Sequence, residues 1–187
     1  MAGMRNRSFP RAVSAALLAG LLSGCGLARQ LTTQHRTYTY SVSLPPVPAN
    51  TMGHGQVTLD EQVQNTYTKY HGGVDWTRLA YQAQNSSALQ SSTLKVYVSL
   101  ADSVPPSQLD QQATLIETIA LAPSENRTVT LAQAPTNDAL RAFLASALSQ
   151  RSASTVHFYA AAASPDPSAT VTVQSFTAQV QVHGSYF

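Results

Sequence analysis

Thr37-Tyr38-Thr39-Tyr40-Ser41-Val42-Ser43-Leu44 alternates hydroxyl and apolar residues without a break. Tyr38, Tyr40, Val42 and Leu44 share one face, the period-two signature of a half-buried β-strand. Pro45-Pro46-Val47-Pro48 ends the run, because proline brings no N–H to a ladder. Downstream the pattern is clear in Leu94 to Leu100, good in Leu79 to Ala83, and weak in Gln56 to Leu59 and Tyr67 to Tyr70. Thr114 to Leu121 and Thr128 to Leu131 flank the turn residues Pro123-Ser124-Glu125-Asn126, which suggests a hairpin. Thr155 to Ala160 is a further strand, followed by a Pro165-Asp166-Pro167 turn.

The run from Ala169 to His183 changes phase. Val171 and Val173 are odd-numbered, whereas Phe176, Ala178, Val180 and Val182 are even. A bulge near Gln174-Ser175, or a bend there from one sheet to another, would keep both sets on one face. One segment has helical spacing instead: Leu140, Phe143, Leu144, Ala147 and Leu148 form a single apolar stripe, and Thr136, Asn137 or Asp138 can cap it. The chain is therefore expected to be mainly β, an antiparallel sandwich or barrel of about eight strands with one amphipathic helix at about 137–150 that lies on the sheet or closes one end. The expected core is Tyr40, Val42, Leu79, Tyr81, Val96, Val98, Leu115, Ile119, Leu131, Leu144, Phe158, Phe176 and Val180.

The first residues carry a different signal. Arg5, Arg7 and Arg11 precede the apolar run Ala12 to Leu22, a basic region followed by a hydrophobic one. As a helix that run reaches roughly 16 Å, about half of a hydrocarbon core, so it fits a secretion signal rather than a membrane span. Leu22-Ser23-Gly24-Cys25 follows directly and resembles the lipobox of bacterial lipoproteins. The resemblance implies a lipid-modified Cys25 thiol and cleavage between Gly24 and Cys25. The remaining residues show no resemblance to a specific family. Cys25 is the chain's single cysteine and has no disulfide partner to explain it. Two or more acyl chains anchor stably where one does not. Gly26, rather than an aspartate, follows Cys25, which points to the outer membrane where the host has one. The expected organisation is a signal peptide at 1–24, a lipidated tether at 25–35 and one β-rich domain at 36–187.

Removing the signal removes three arginines, which leaves 11 − 3 = 8 basic against 9 acidic residues and a mature net charge near −1. The mature chain of 187 − 24 = 163 residues is long enough for one domain with a core. A near-neutral domain offers no basic surface to nucleic acid. Charged residues are only 11%, and polarity comes instead from Ser, Thr, Gln and Asn.

No pair among His35, His54, His71, His157 and His183 has a local metal-ligand spacing, so no metal or other cofactor is expected. His157 alternates with Val156 and Phe158 and is expected to face solvent, and His54 and His71 lie in glycine-flanked, loop-like segments. No Gly-x-Ser-x-Gly motif exposes a nucleophile, and the scattered acidic residues read as turn formers and caps. Tyr67, Tyr70 and Trp76 cluster around Gly72-Gly73, either as a binding surface or with Trp76 plugging the end of the core. These readings lead to a non-enzymatic, membrane-anchored envelope lipoprotein that meets an envelope protein or the cell wall. The alternative is a lipoprotein that binds a small molecule or glycan through Tyr67, Tyr70 and Trp76, and an envelope hydrolase ranks last.

Overall fold

The computed structural model describes residues 33–69, 72–132, 138–150 and 155–184; Gly24, Cys25 and Tyr70 lie outside them. The described residues form two antiparallel sheets packed face to face. In the first, β9 (Thr170–Gly184) is central, with β4 (Gly73–Asn85) and then β7 (Asn126–Ala132) on one side. Its other side carries β1 (Gln34–Val42) and the short β2 (Val47–Pro48). The second sheet runs β3 (Thr51–Thr58), β8 (Thr155–Ala163), β5 (Ser92–Ser99), β6 (Thr114–Leu121). Thus the chain is mainly β, and of the two architectures the sequence allowed it adopts the sandwich. β1 begins at Gln34 because Gln34 and His35 pair with Gly184 and His183, which draws the end of the expected tether into the ladder.

One apolar cluster fills the space between the sheets. Val42, Leu79, Tyr81, Val96, Val98, Ile119, Leu144, Phe158, Phe176 and Val180 are buried in it, and Tyr40 and Leu131 pack against it. Leu115 is the exception, at 42% exposed. Val96 pairs with Glu117 and Tyr97 with Leu115, so Ile116 is an extra residue in β6. The bulge changes the phase of the strand, turning Ile116 inward and Leu115 outward. In β9 the sequence-level phase slip is a bulge within one strand: Ala80 pairs with Thr177 but Gln82 with Gln174, and Ser175 takes φ 52°.

Three further expectations change in this fold. Tyr67 to Tyr70 is not a strand, since Glu61–Lys69 is a helix, α1, with Val63 and Thr66 buried and Tyr67 against the core. Asp60 starts it by accepting the Val63 and Gln64 amides through its carbonyl. His54 is not in a loop, because Gly53-His54-Gly55 belongs to β3. The segment around Pro123 is not a hairpin: β6 pairs with β5 and β7 with β4, so the turn carries the chain from one sheet to the other. Buried Asn85 holds that crossing by donating to the carbonyls of Gln90 and Ala122. The amphipathic helix, α3 (Asp138–Ser149), touches β4 and β6 and so closes the space between the sheets, with Leu140, Leu144, Ala147 and Leu148 buried.

Candidate functional site

The outer face of the five-stranded sheet gathers three donor side chains at the end where β1 begins. His35 on β1 and Gly73 on β4 both pair with His183 on β9, which puts the three positions in one row on the side facing away from the core. Gly73 leaves the space above it to the His183 ring, since a Cβ there would lie 2.7 Å from His183 Cε1. Asp75 comes from an irregularity in the ladder. Val74 pairs with Val182 and Trp76 with Gln181, so Asp75 is an extra residue in β4. That bulge turns the Asp75 carboxylate to the histidines.

His35 Nδ1 lies 2.7 Å from Asp75 Oδ2, and His183 Nδ1 is hydrogen-bonded to Asp75 Oδ1. The rings are 5.7 Å apart between centroids, and one donor atom from each of the three residues falls within 4.8 Å of the others. Asp75 is 20% exposed, His183 34% and His35 53%, so the cluster opens to solvent from the His35 side. Two imidazole nitrogens and one carboxylate are donors for a borderline divalent metal ion.

From this cluster the outer face continues as rows of mostly uncharged polar groups. Thr37, Gln181 and Trp76 make one row, and Thr39, Gln179 and Arg78 the next. The side-chain amides of Gln181 and Gln179 donate to the hydroxyls of Thr37 and Thr39. Trp76 stands half-buried in this face, outside the core. Tyr67, on α1, is partly buried and packs against the core.

The second sheet carries another pair of histidines. His157 points outward, as its alternation requires, yet it is only 4% exposed and not solvent-facing as expected. The segment after β5 covers it. Val104 and Leu109, the latter in the short helix α2 (Leu109–Gln112), bury themselves against Tyr97 and Tyr159. Tyr159 donates its hydroxyl to the Ala101 carbonyl at 2.7 Å, and Tyr97 donates to Asp110 at 2.7 Å. Burial, with that bond to Asp110, pushes the Tyr97 hydroxyl up to about 12. Under the cover, His157 Nδ1 is 3.0 Å from His54 Nε2 and 3.8 Å from Asp102 Oδ1. Burial chiefly, and the His54 charge next, lower the His157 pKa against the pull of Asp102.

No protein-family model matches the chain, nor does any curated protein. Among solved structures, a chain of Desmodium yellow mottle tymovirus aligns at 14% identity, covering 82% of this chain and 81% of that one, with a TM-score of 0.33. Dimeric latent PorU from Porphyromonas gingivalis aligns at 6% identity and a TM-score of 0.43, over 82% of this chain and 13% of PorU. The xylan-binding module CBM15 aligns at 10% identity and 0.40, over 76% and 75%. At these values the likenesses lend nothing to a functional argument.

Proposed function

We propose that this chain is a lipid-anchored lipoprotein of the bacterial envelope whose sandwich binds a partner and does not catalyse. Its address rests on the lipobox Leu22-Ser23-Gly24-Cys25 after a secretion signal, and Gly26 favours an outer membrane where one exists. The observation that carries the binding role is the outer face of the five-stranded sheet. Thr37, Thr39, Gln179, Gln181, Gln82, Gln84 and Thr128 present hydroxyls and amides there, with Trp76 among them and Arg78 the charged residue of the rows. Such a face suits a neutral, hydrogen-bonding partner surface. Among the described residues, the histidine ring nitrogens that meet other side chains engage Asp75, Asp102 or one another, which favours binding over hydroxyl activation.

A second reading, glycan binding, is favoured by one feature of that face: a tryptophan beside side-chain amides offers both stacking and hydrogen bonds to a sugar. One experiment in cells separates these readings. The full precursor should fractionate with membranes and Cys25→Ser should not, and a photocrosslinking residue at Gln82 should give a reproducible protein adduct. A Cys25→Ser chain that still pellets with membranes refutes the anchor. No adduct, with the purified chain sedimenting on cell-wall glycan, replaces the protein partner with a glycan.

A further inference from the structure

We infer that His35, Asp75 and His183 form a binding site for a divalent transition ion of the zinc class. The inference stands on geometry alone and does not depend on the anchor or on the outer-face partner. Three strands that are far apart in the chain deliver the donors: Asp75 is 40 residues from His35 and 108 from His183. Each imidazole turns Nδ1 toward a different oxygen of the same carboxylate, which gathers one donor atom from each of the three side chains within 4.8 Å of the others. Zinc bonds of about 2.0–2.1 Å place tetrahedral donors roughly 3.3 Å apart. Donors that already lie within 4.8 Å of one another reach that spacing through small side-chain rotations.

The donor types narrow the ion. Calcium prefers six to eight oxygens and magnesium a near-ideal octahedron rich in water, whereas two imidazoles and one carboxylate suit zinc, copper, nickel or iron. One carboxylate with two neutral imidazoles leaves a bound divalent ion with net positive charge. The exposed His35 side keeps a coordination position open to water or to a donor on a partner. A structural reading, two imidazoles merely holding Asp75, accounts for the hydrogen bonds. It does not account for why this end of the sheet would collect two histidines, a bulged aspartate and a glycine that clears room for one ring, since pairs that stay open to solvent stabilise little.

The test uses the purified full chain, stripped with chelator and titrated with Zn2+ by calorimetry. The expected result is one equivalent bound, with Ca2+ and Mg2+ failing to compete. Affinity should fall at least tenfold in His183→Gln and in Asp75→Asn, and stay unchanged in His54→Gln. Because a variant could fold poorly, the wild-type histidine ring resonances supply a second readout: His35 and His183 should shift on adding Zn2+ while His54 and His157 do not. Absence of a stoichiometric equivalent, or binding that survives both ligand substitutions, or shifts confined to His54 and His157, overturns the proposal.

Discussion

Burial lowers the pKa of His157 in the folded chain, and the neighbouring His54 lowers it further. An unfolded chain carries that ring at an ordinary value near about 6.5. Between the two values the unfolded state binds more protons, so folding releases them and stability rises with pH. The contribution is therefore complete above about 6.5 and is lost as pH falls through the folded pKa. Denaturant midpoints followed from neutral to mildly acidic pH should fall for the natural chain, and His157→Gln should flatten part of that slope. Equal slopes would show that His157 titrates as if exposed. The cover over His157 is also where residue-level reading fell short. Alternation gave the side on which the ring lies, but Val104 and Leu109 in a polar stretch gave no sign that they would pack on Tyr97 and Tyr159 of that same face.

Bulges decide which strand faces were legible. In β9 the apolar positions are sparse and regular, so the change from Val171 and Val173 to Phe176 and Val180 exposes the extra residue in the sequence itself. In β6, Leu115 and Ile116 are both apolar and either phase looks plausible, so the bulge that sends Leu115 outside leaves no trace. The β4 bulge is hidden too, because Gly73, Val74, Asp75 and Trp76 show no alternation to break. That last case concealed the candidate metal site, whose donors meet only once three strands are in register. The β9 bulge has a conformational requirement that can be probed directly. Ser175 is exposed at φ 52°, where a Cβ costs roughly 1–2 kcal/mol and a β-branched side chain costs more. Serine already bears the Cβ cost, so Ser175→Val should destabilise the chain in chemical unfolding by the further cost of the β-branch, while Ser175→Gly should be neutral or slightly stabilising. A valine tolerated without loss would mean that the phase change is made some other way.

At the scale of the molecule, the two sheets must also be brought together along their edges. β1 and β2 lie along one edge of the five-stranded sheet and β3 forms an edge of the other; the chain runs from β1 through Ser43 to Pro46 into β2, then through Ala49 and Asn50 into β3. Leu44 between β1 and β2, and Val47 in β2, are buried, so this stretch contributes to the core as well as linking the sheets. Close approach there depends on β3 carrying glycines at inward positions. A Cβ on Gly55 would lie 2.5 Å from the Ser43 carbonyl oxygen and 2.8 Å from Val42 Cγ1. A Cβ on Gly53 would lie 2.9 Å from Val47 Cγ2. The Ser43 carbonyl is backbone tied to the end of β1, so it cannot yield as the tip of a side chain does. Gly55→Ala should therefore push the β1 edge away from β3 and cost about 1–3 kcal/mol by overpacking, although alanine is no worse than glycine in an unconstrained strand. Gln56→Ala, one residue along the same strand and exposed, should cost far less. Unfolding curves that put Gly55→Ala level with Gln56→Ala would show that the two edges do not approach as closely as 2.5 Å implies.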